Sequence, residues 1–211
     1  MSKTTDIRTA VEAELKFDPL VNDADIHVVN MNGDVALNGT VPSYPQYLEA
    51  ATATQRVSGV KNVHNHLEVV LPDADYRDDA MLTTAANITV PDGVEATASD
   101  GNLTLTGTVS YGAERTAAEL AVAGLTGVRK VRDDIEISYD PDPMDVDLHV
   151  QEALARSALV PDDSDVKASI DGSVITLTGH VRTWAEHDAV IGAAWMARGV
   201  SYIDDELGIT G

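Results

Sequence analysis

Glycines stand twenty residues apart three times in this chain: Gly39 and Gly59, Gly107 and Gly127, Gly179 and Gly199. Valine follows the second glycine of each pair, at Val60, Val128 and Val200, and stands two residues after the first, at Val41, Val109 and Val181. Such spacing marks an internal repeat, and a repeat sets the domain count before any single motif is weighed. Pro- and Asp-rich links, "LPDAD" and "YDPDPMD", separate the copies. The expected units are residues 1–71, 72–140 and 141–211, each of roughly 70 residues.

Each unit carries the same order of signals. "NGDVALNGTV", "DGNLTLTGTV" and "DGSVITLTGHV" open on an Asn-Gly or Asp-Gly dipeptide of the kind that favours a type I′ hairpin. A short strand candidate precedes each, starting at Ile26, Val94 and Val166, thirteen residues before the Gly of Gly-x-Val. After the turn apolar residues alternate (Val35, Leu37, Val41; Leu103, Leu105, Val109; Ile175, Leu177, Val181), the pattern of a half-buried strand.

Between the bracketing glycines the spacing becomes three and four, through Ala50, Ala53, Thr54 and Val57, then Ala118, Ala121, Val122 and Leu125, then Val190, Ala193, Ala194 and Ala197. That period predicts a helix with one buried face, and Gly59, Gly127 and Gly199 are expected at its C-terminal cap. A last strand follows, with Val63, Leu67 and Val69, Val131, Ile135 and Ile137, or Ile203, Leu207 and Ile209 on its inner face. One polar residue interrupts that face in every copy: Asn65, Asp133 and Asp205. Such a side chain is expected to satisfy backbone amides near the helix end; the alternative is a shared anion-sensitive or cation-binding position.

Ahead of the hairpin a first helix is expected, on Ile7, Val11 and Leu15 in unit 1 and on Val146, Val150 and Leu154 in unit 3. Unit 2 offers only a shorter segment around Met81 and Leu82, before Pro91. The fold class is therefore α+β: three tandem αββαβ units, each a three-stranded mixed sheet packed on two helices, the first helix of unit 2 being short.

This pattern resembles the BON domain family, named for bacterial osmotic-shock and nodulation proteins. The residues that carry the resemblance are Asn/Asp-Gly, the strand into Gly39-x-Val41, the alanine-rich helix, and Gly59-Val60 leading through Val63, Asn65 and Leu67 to Val69, with their equivalents. It runs from about residue 4 to 210; the short first helix of unit 2 and the aspartates at 133 and 205 depart from it. The resemblance implies a non-enzymatic, stress-associated module that contacts phospholipid or other envelope surfaces, in osmotic stress among others. Two alternatives stand beside it: a cation-responsive binding protein, and a chaperone-like scaffold for protein interactions.

Charge narrows the partners. Aspartate (24) and glutamate (11) outnumber lysine and arginine (14 together), for a net charge of -21. Nucleic acid needs clustered cations and is not expected as a partner; simple docking on anionic lipid is weakened for the same reason, so lipid contact calls for bridging cations or exposed aromatics. Without cysteine there is no disulfide, thiolate nucleophile or Cys-bound metal. The start "MSKTTDIRTAVEAELKFDPL" does not read as a signal peptide, and no apolar run is long enough for a membrane span. The chain as written is expected to be cytoplasmic, or periplasmic or secreted where a leader has been removed.

Catalytic motifs are absent: no Gly-x-Ser-x-Gly, no phosphate-binding loop with lysine, no His-Glu-x-x-His. No catalytic residue and no cofactor is expected. His64 and His66 share the outer face of the last strand of unit 1, the spacing of two imidazole ligands, yet units 2 and 3 place Arg132 with Asp134 and Asp204 with Glu206 there. Solvated side chains are the expectation, and a metal at His64 and His66 the weaker alternative. The aspartate runs at 73–79, 140–147 and 162–165 lack the glycine and distal glutamate of a calcium loop, and read as linkers and helix starts, with Asp6 and Asp145 placed to favour the latter.

Tyr44, Gly112 and Trp184 are equivalent positions ahead of the second helix, while Tyr47 and Trp195 lie on helices. Trp184 is the candidate surface anchor for a membrane interface or partner, against the plainer reading of a core cap. Outer strand positions are rich in threonine (Thr104, Thr106, Thr108, Thr176, Thr178), and such small units are expected to pack compactly with these faces at least partly covered.

Overall fold

A computed structural model describes residues 3–137, 148, 150–153, 156, 165–197 and 200–210. Unit 1 runs α1 (Lys3–Phe17), β1 (Ile26–Met31), β2 (Asp34–Val41), α2 (Tyr44–Gln55), β3 (Asn62–Val69). Unit 2, after a one-turn 3₁₀ segment at Asp73–Asp75, runs α3 (Asp79–Thr89), β4 (Val94–Ser99), β5 (Asn102–Val109), α4 (Gly112–Ala123), β6 (Lys130–Ile137). Unit 3 has helical residues at 148, 150–153 and 156 (α5), then β7 (Lys167–Asp171), β8 (Val174–Val181), α6 (Trp184–Trp195) and β9 (Tyr202–Ile209). The fold is α+β, with the αββαβ order in each unit.

Each sheet holds three strands in chain order, the first pair antiparallel and the second parallel. A parallel pair needs a crossover, which the second helix supplies. The alternating residues close the core: Val35 and Leu37, Leu103 and Leu105, Ile175 and Leu177 are all fully buried, each such side chain stabilising by about 1.5–3 kcal/mol relative to exposure. Ala50 and Ala53, Ala118, and Ala194 are equally buried and bring the second helix close to the sheet.

Two hairpins have the turn their dipeptides favour. Asn32 and Gly33 (φ 58° and 102°) and Asp100 and Gly101 (53° and 76°) both lie in the left-handed region. The third departs from expectation. Pairing is anchored on the strands, Asp171 opposite Val174, so the two-residue loop falls on Gly172 and Ser173, and only Gly172 (φ 63°) is left-handed. Asp171 becomes a strand residue because this copy carries one more residue between its dipeptide and its Gly-x-Val.

The bracketing glycines also need correction. Gly59 and Gly127 do not cap helices: α2 ends at Gln55 and α4 at Ala123, so each glycine lies four residues beyond. They close turns in which Val60 N donates to Val57 O (3.2 Å) and Val128 N to Leu125 O (3.3 Å), and their φ of 88° and 101° suits the third position of a type II turn. Gly199 lies outside the described residues. Gly39, Gly107 and Gly179 (φ 119°, 128°, 118°) end the hairpin pairing; a Cβ there would collide with the carbonyls of Asp25, Gly93 and Asp165.

Helix α3 is shorter than α1, 11 residues against 15, but is pinned at its start. Asp78 caps it by accepting from Met81 N (2.9 Å). Asp79 reaches across to the β4–β5 turn, accepting from Asp100 N (2.9 Å) and Gly101 N (3.0 Å), and these amides hold its carboxyl below the usual range. Asp6 lies in the first turn of α1. Asp145, Val146, Leu154, and the runs 140–147 and 162–164 lie outside the described residues; Val150 is fully buried.

Candidate functional site

The polar residue on each inner strand face has a repeated local role. Asn65, Asp133 and Asp205 accept from the amide two residues ahead on their own strands: Leu67 (3.2 Å), Ile135 (3.0 Å) and Leu207 (3.1 Å). These are strand amides, where amides at the helix end were expected. The other side-chain atom of each reaches the fourth residue of the second helix. Asn65 Nδ2 donates to Tyr47 O (2.7 Å), Asp133 pairs with Arg115 (3.0 Å), and Asp205 lies 2.7 Å from His187 Nε2.

Against that helix residue stands an aromatic ring. Tyr44 stacks on Tyr47, with centroids 5.5 Å apart and planes at 9°. Trp184 meets His187 edge-on at 4.9 Å. Unit 2 has no side chain at the equivalent Gly112, and a ring from another unit supplies the partner: the Arg115 guanidinium lies 4.9 Å from the centroid of Trp195, on α6. A Cβ at Gly112 would run into that same ring. A missing aromatic in one copy is thus replaced in space by an extra one in the next.

These rings form the contacts between units, running head to tail. The first junction is made by Tyr44, 5% exposed, which belongs to the core cluster of unit 2, with Tyr47, Leu48 and Val69 packed beside it. Burial there, with Glu119 nearby, pushes its hydroxyl up to about 12. Glu119 is half-buried; burial first, then Asp133, raises its carboxyl, and Arg115 partly offsets them. Trp195 on Gly112 and Arg115 makes the second junction, where α4 and α6 touch.

The third junction returns from unit 3 to unit 1. Here Trp184 shares a cavity of about 460 Å³ with the end of α2 and the following turn, including Gln55, Val57, Gly59 and Val60, while Arg182, Thr183, Ala185, Asp188 and Ile209 line the unit 3 side. Trp184 is therefore no open surface anchor: it is half-buried, and its Nε1 is buried without an acceptor. Arg56, which also lines the cavity, is held charged by Glu49 (3.0 Å), Glu14 (2.9 Å) and Asp18. Arg182 pairs with Glu186 (2.7 Å).

The three sheets stay separate in their strand pairing; of the threonines expected to be at least partly covered, Thr104, Thr176 and Thr178 are half-buried, while Thr106 and Thr108 stand exposed. The outer face of unit 1 differs from the other two. His27, Asn38 and His66 lie in one row across the sheet, with His64 beside Ala36 in the next, and Val29 (49% exposed) and Met31 (69%) share it. The rings of His64 and His66 are parallel at 6.3 Å. Among the described residues no group of three or more His, Cys, Asp or Glu could hold a metal ion.

Residue spacing alone marked positions 44, 112 and 184 as equivalent but not that they join units. The gap at Gly112 was the available signal; Trp195, with no aromatic counterpart in the other copies, was the answer to it.

Comparison with known proteins gives one strong match. The model of the BON domain matches residues 3–70, 80–139 and 145–211. No curated protein matches the chain. Solved structures aligned with it include the C-terminal domain of CdsD, the structural protein of the type III secretion system of Chlamydia trachomatis (15% identity, 98% of each chain, TM-score 0.28). Another is the periplasmic domain of the type III secretion inner membrane protein PrgH from S. typhimurium (9% identity, 87% of this chain and 94% of that chain, TM-score 0.23).

Proposed function

The chain belongs to the BON domain family, in three tandem copies, and from that premise we propose that it is a non-enzymatic binding protein of the stress response, contacting phospholipid or envelope surfaces through the open sheet face of unit 1. The observation that carries this reading is the character of that face. On a chain of net charge -21, its outward residues are His27, Val29, Met31, Ala36, Asn38, Thr40, His64 and His66, with acids only at its margins, Asp34 and Glu68. The corresponding rows of unit 2 mix Glu95, Asp134 and Glu136 with Lys130 and Arg132, and those of unit 3 mix Asp171, Asp204 and Glu206 with Lys167, so unit 1 is set apart by its imidazoles and exposed apolar side chains where the others carry mixed charges.

Exposed Val29 and Met31 offer apolar contact, while imidazoles tolerate an anionic surface better than carboxylates do. Among the described residues no helix is long and apolar enough to cross a membrane, so contact would be made from one side. Osmotic stress, the family's association, is the setting in which such contact would be used.

Flotation with vesicles of phosphatidylethanolamine and phosphatidylglycerol, with and without divalent cations, tests the proposal. The protein is expected to float, and Val29→Asp with Met31→Asp to abolish flotation while Thr106→Lys with Thr108→Lys leaves it intact. Absence of flotation at every salt concentration overturns the lipid reading. Flotation that requires a specific divalent ion would favour the cation-responsive alternative.

A further inference from the structure

Among the described residues, the histidines of unit 3 are engaged by carboxylates. His180 Nδ1 lies 2.9 Å from Asp165, and His187 is held between Asp188 (3.2 Å) and Asp205 (2.7 Å). In unit 1, by contrast, His27, His64 and His66 are exposed and have neither a hydrogen bond nor an ion pair among the described residues. His64 and His66 meet each other instead, their rings parallel with centroids 6.3 Å apart. The equivalent positions elsewhere are occupied differently: Arg132 pairs with Asp134 (2.9 Å) in unit 2, and unit 3 places Asp204 and Glu206 there.

We propose that His64 and His66 chelate one borderline divalent ion, Zn²⁺, Ni²⁺ or Cu²⁺, through one neutral imidazole nitrogen each. Residues two apart on an extended strand have Cα atoms roughly 6.7 Å apart, so rings separated by 6.3 Å stand side by side on one face. Two Zn–N bonds of about 2.0–2.1 Å at a tetrahedral angle need nitrogens roughly 3.3 Å apart. Turning the two rings toward each other closes that gap, and they are free to turn. Both side chains are exposed on the edge strand β3, and the residue paired with His64 is the small Ala36. Donor type selects the ion: imidazole suits zinc, nickel and copper, whereas magnesium and calcium need sets of oxygen ligands. No third ligand completes the set among the described residues, so the remaining coordination positions face outward, open to water or an anionic oxygen. The site would put an open cation on a chain of net charge -21. It shares the outer face of unit 1 with the lipid reading but needs no membrane, so either can fail alone.

Calorimetric titration of the full chain with zinc chloride tests this, in a large excess of Mg²⁺ that occupies the carboxylates. One zinc per chain is expected to bind. His64→Ala and His66→Ala should each weaken it by at least about a hundredfold, because the second imidazole of a chelate acts at high effective concentration. His180→Ala, a histidine of unit 3 engaged by Asp165, should leave the affinity unchanged. Both replaced side chains are exposed, so melting without zinc should match the parent and exclude a folding defect. Histidine-ring ¹H–¹⁵N spectra, assigned by the same variants, should show His64 and His66 shifting together on zinc addition. The proposal is overturned if excess Mg²⁺ abolishes zinc binding, if binding survives both variants, or if His180→Ala weakens it as much. Zinc binding by a chain that fails to float with vesicles would leave this site standing and the lipid reading overturned; flotation without zinc binding would do the reverse.

Discussion

The second and third junctions solve one geometric problem in opposite ways. At both, the first residue of a second helix meets the neighbouring unit. Where that residue is Gly112, the neighbour's Trp195 moves in and stacks on Arg115; where it is Trp184, the neighbour offers Gln55 and the turn at Gly59, and space remains. A helix start with no side chain is therefore no defect here, because the partner ring fills the gap. A helix start with a large side chain left its polar atom unpaired. Repetition copied the frame of each unit, and divergence decided which junction was sealed.

The largest effect should come from emptying the sealed junction. Trp195→Ala removes the ring from Gly112 and Arg115 and is expected to destabilise by about 3 kcal/mol, the low end for Trp truncation since the ring is half-buried. Denaturant unfolding measures it. The comparison becomes sharper with Gly112→Tyr in the same background, which restores the helix-borne aromatic of units 1 and 3. It should recover a large part of the loss, whereas Gly112→Tyr alone should clash. Additive costs would show that the two positions do not share one space.

Tyr44→Ala should come next, at about 2–3 kcal/mol, since the ring is buried in the core of unit 2. Hydrogen exchange should then show protection lost in both units 1 and 2; loss confined to unit 1 would break the reading of Tyr44 as a junction residue.

Trp184→Phe tests the open junction and should differ in kind. It deletes the unpaired donor as well as part of the ring, so its cost is expected to stay below about 1 kcal/mol, against the larger loss at Trp195. A cost equal to that of Trp195→Phe would erase the contrast between the junctions.

Glu119→Gln should have the smallest effect, and its sign is informative. The folded protein raises this carboxyl, mainly through burial and then through Asp133. A raised carboxylate favours the folded state while protonated, and that contribution is lost as pH rises through the folded value. The variant should therefore be slightly more stable than the parent at pH 7, by less than about 1 kcal/mol after solvent screening, and indistinguishable below pH of about 4, under the ordinary glutamate value. Thermal melts across pH 3.5–7.5 would show the gap opening upward; a gap that opens toward acid would contradict the assignment.

Much of this architecture was legible because it is local or repeated. Alternation at Leu103 and Leu105 marks a strand with one buried face, and threes and fours at Ala118 and Val122 mark a helix on that face. The short helix of unit 2 was visible from Pro91. Legibility failed where two elements compete for one residue. Asp171-Gly172 reads as a type I′ turn, but strand pairing pulls Asp171 into β7. Gly59 reads as a helix cap, but the helix stops at Gln55 and the glycine serves the turn beyond it. At the candidate sites, the parallel face of His64 and His66 followed from strand parity alone. The cavity did not, since its walls come from residues more than a hundred positions apart.

The sequence by itself determined the units: their number, the strand and helix order, the core residues and the acidic charge of the chain. Those follow from periodicity and composition, which act over a few residues or over the chain as a whole. Only the tertiary structure decided how the units meet, that Trp195 stands in for the missing side chain at Gly112, and that Trp184 lines a cavity with its N–H unpaired. Packing between units depends on which side chains occupy the same volume, and no spacing along the chain encodes that.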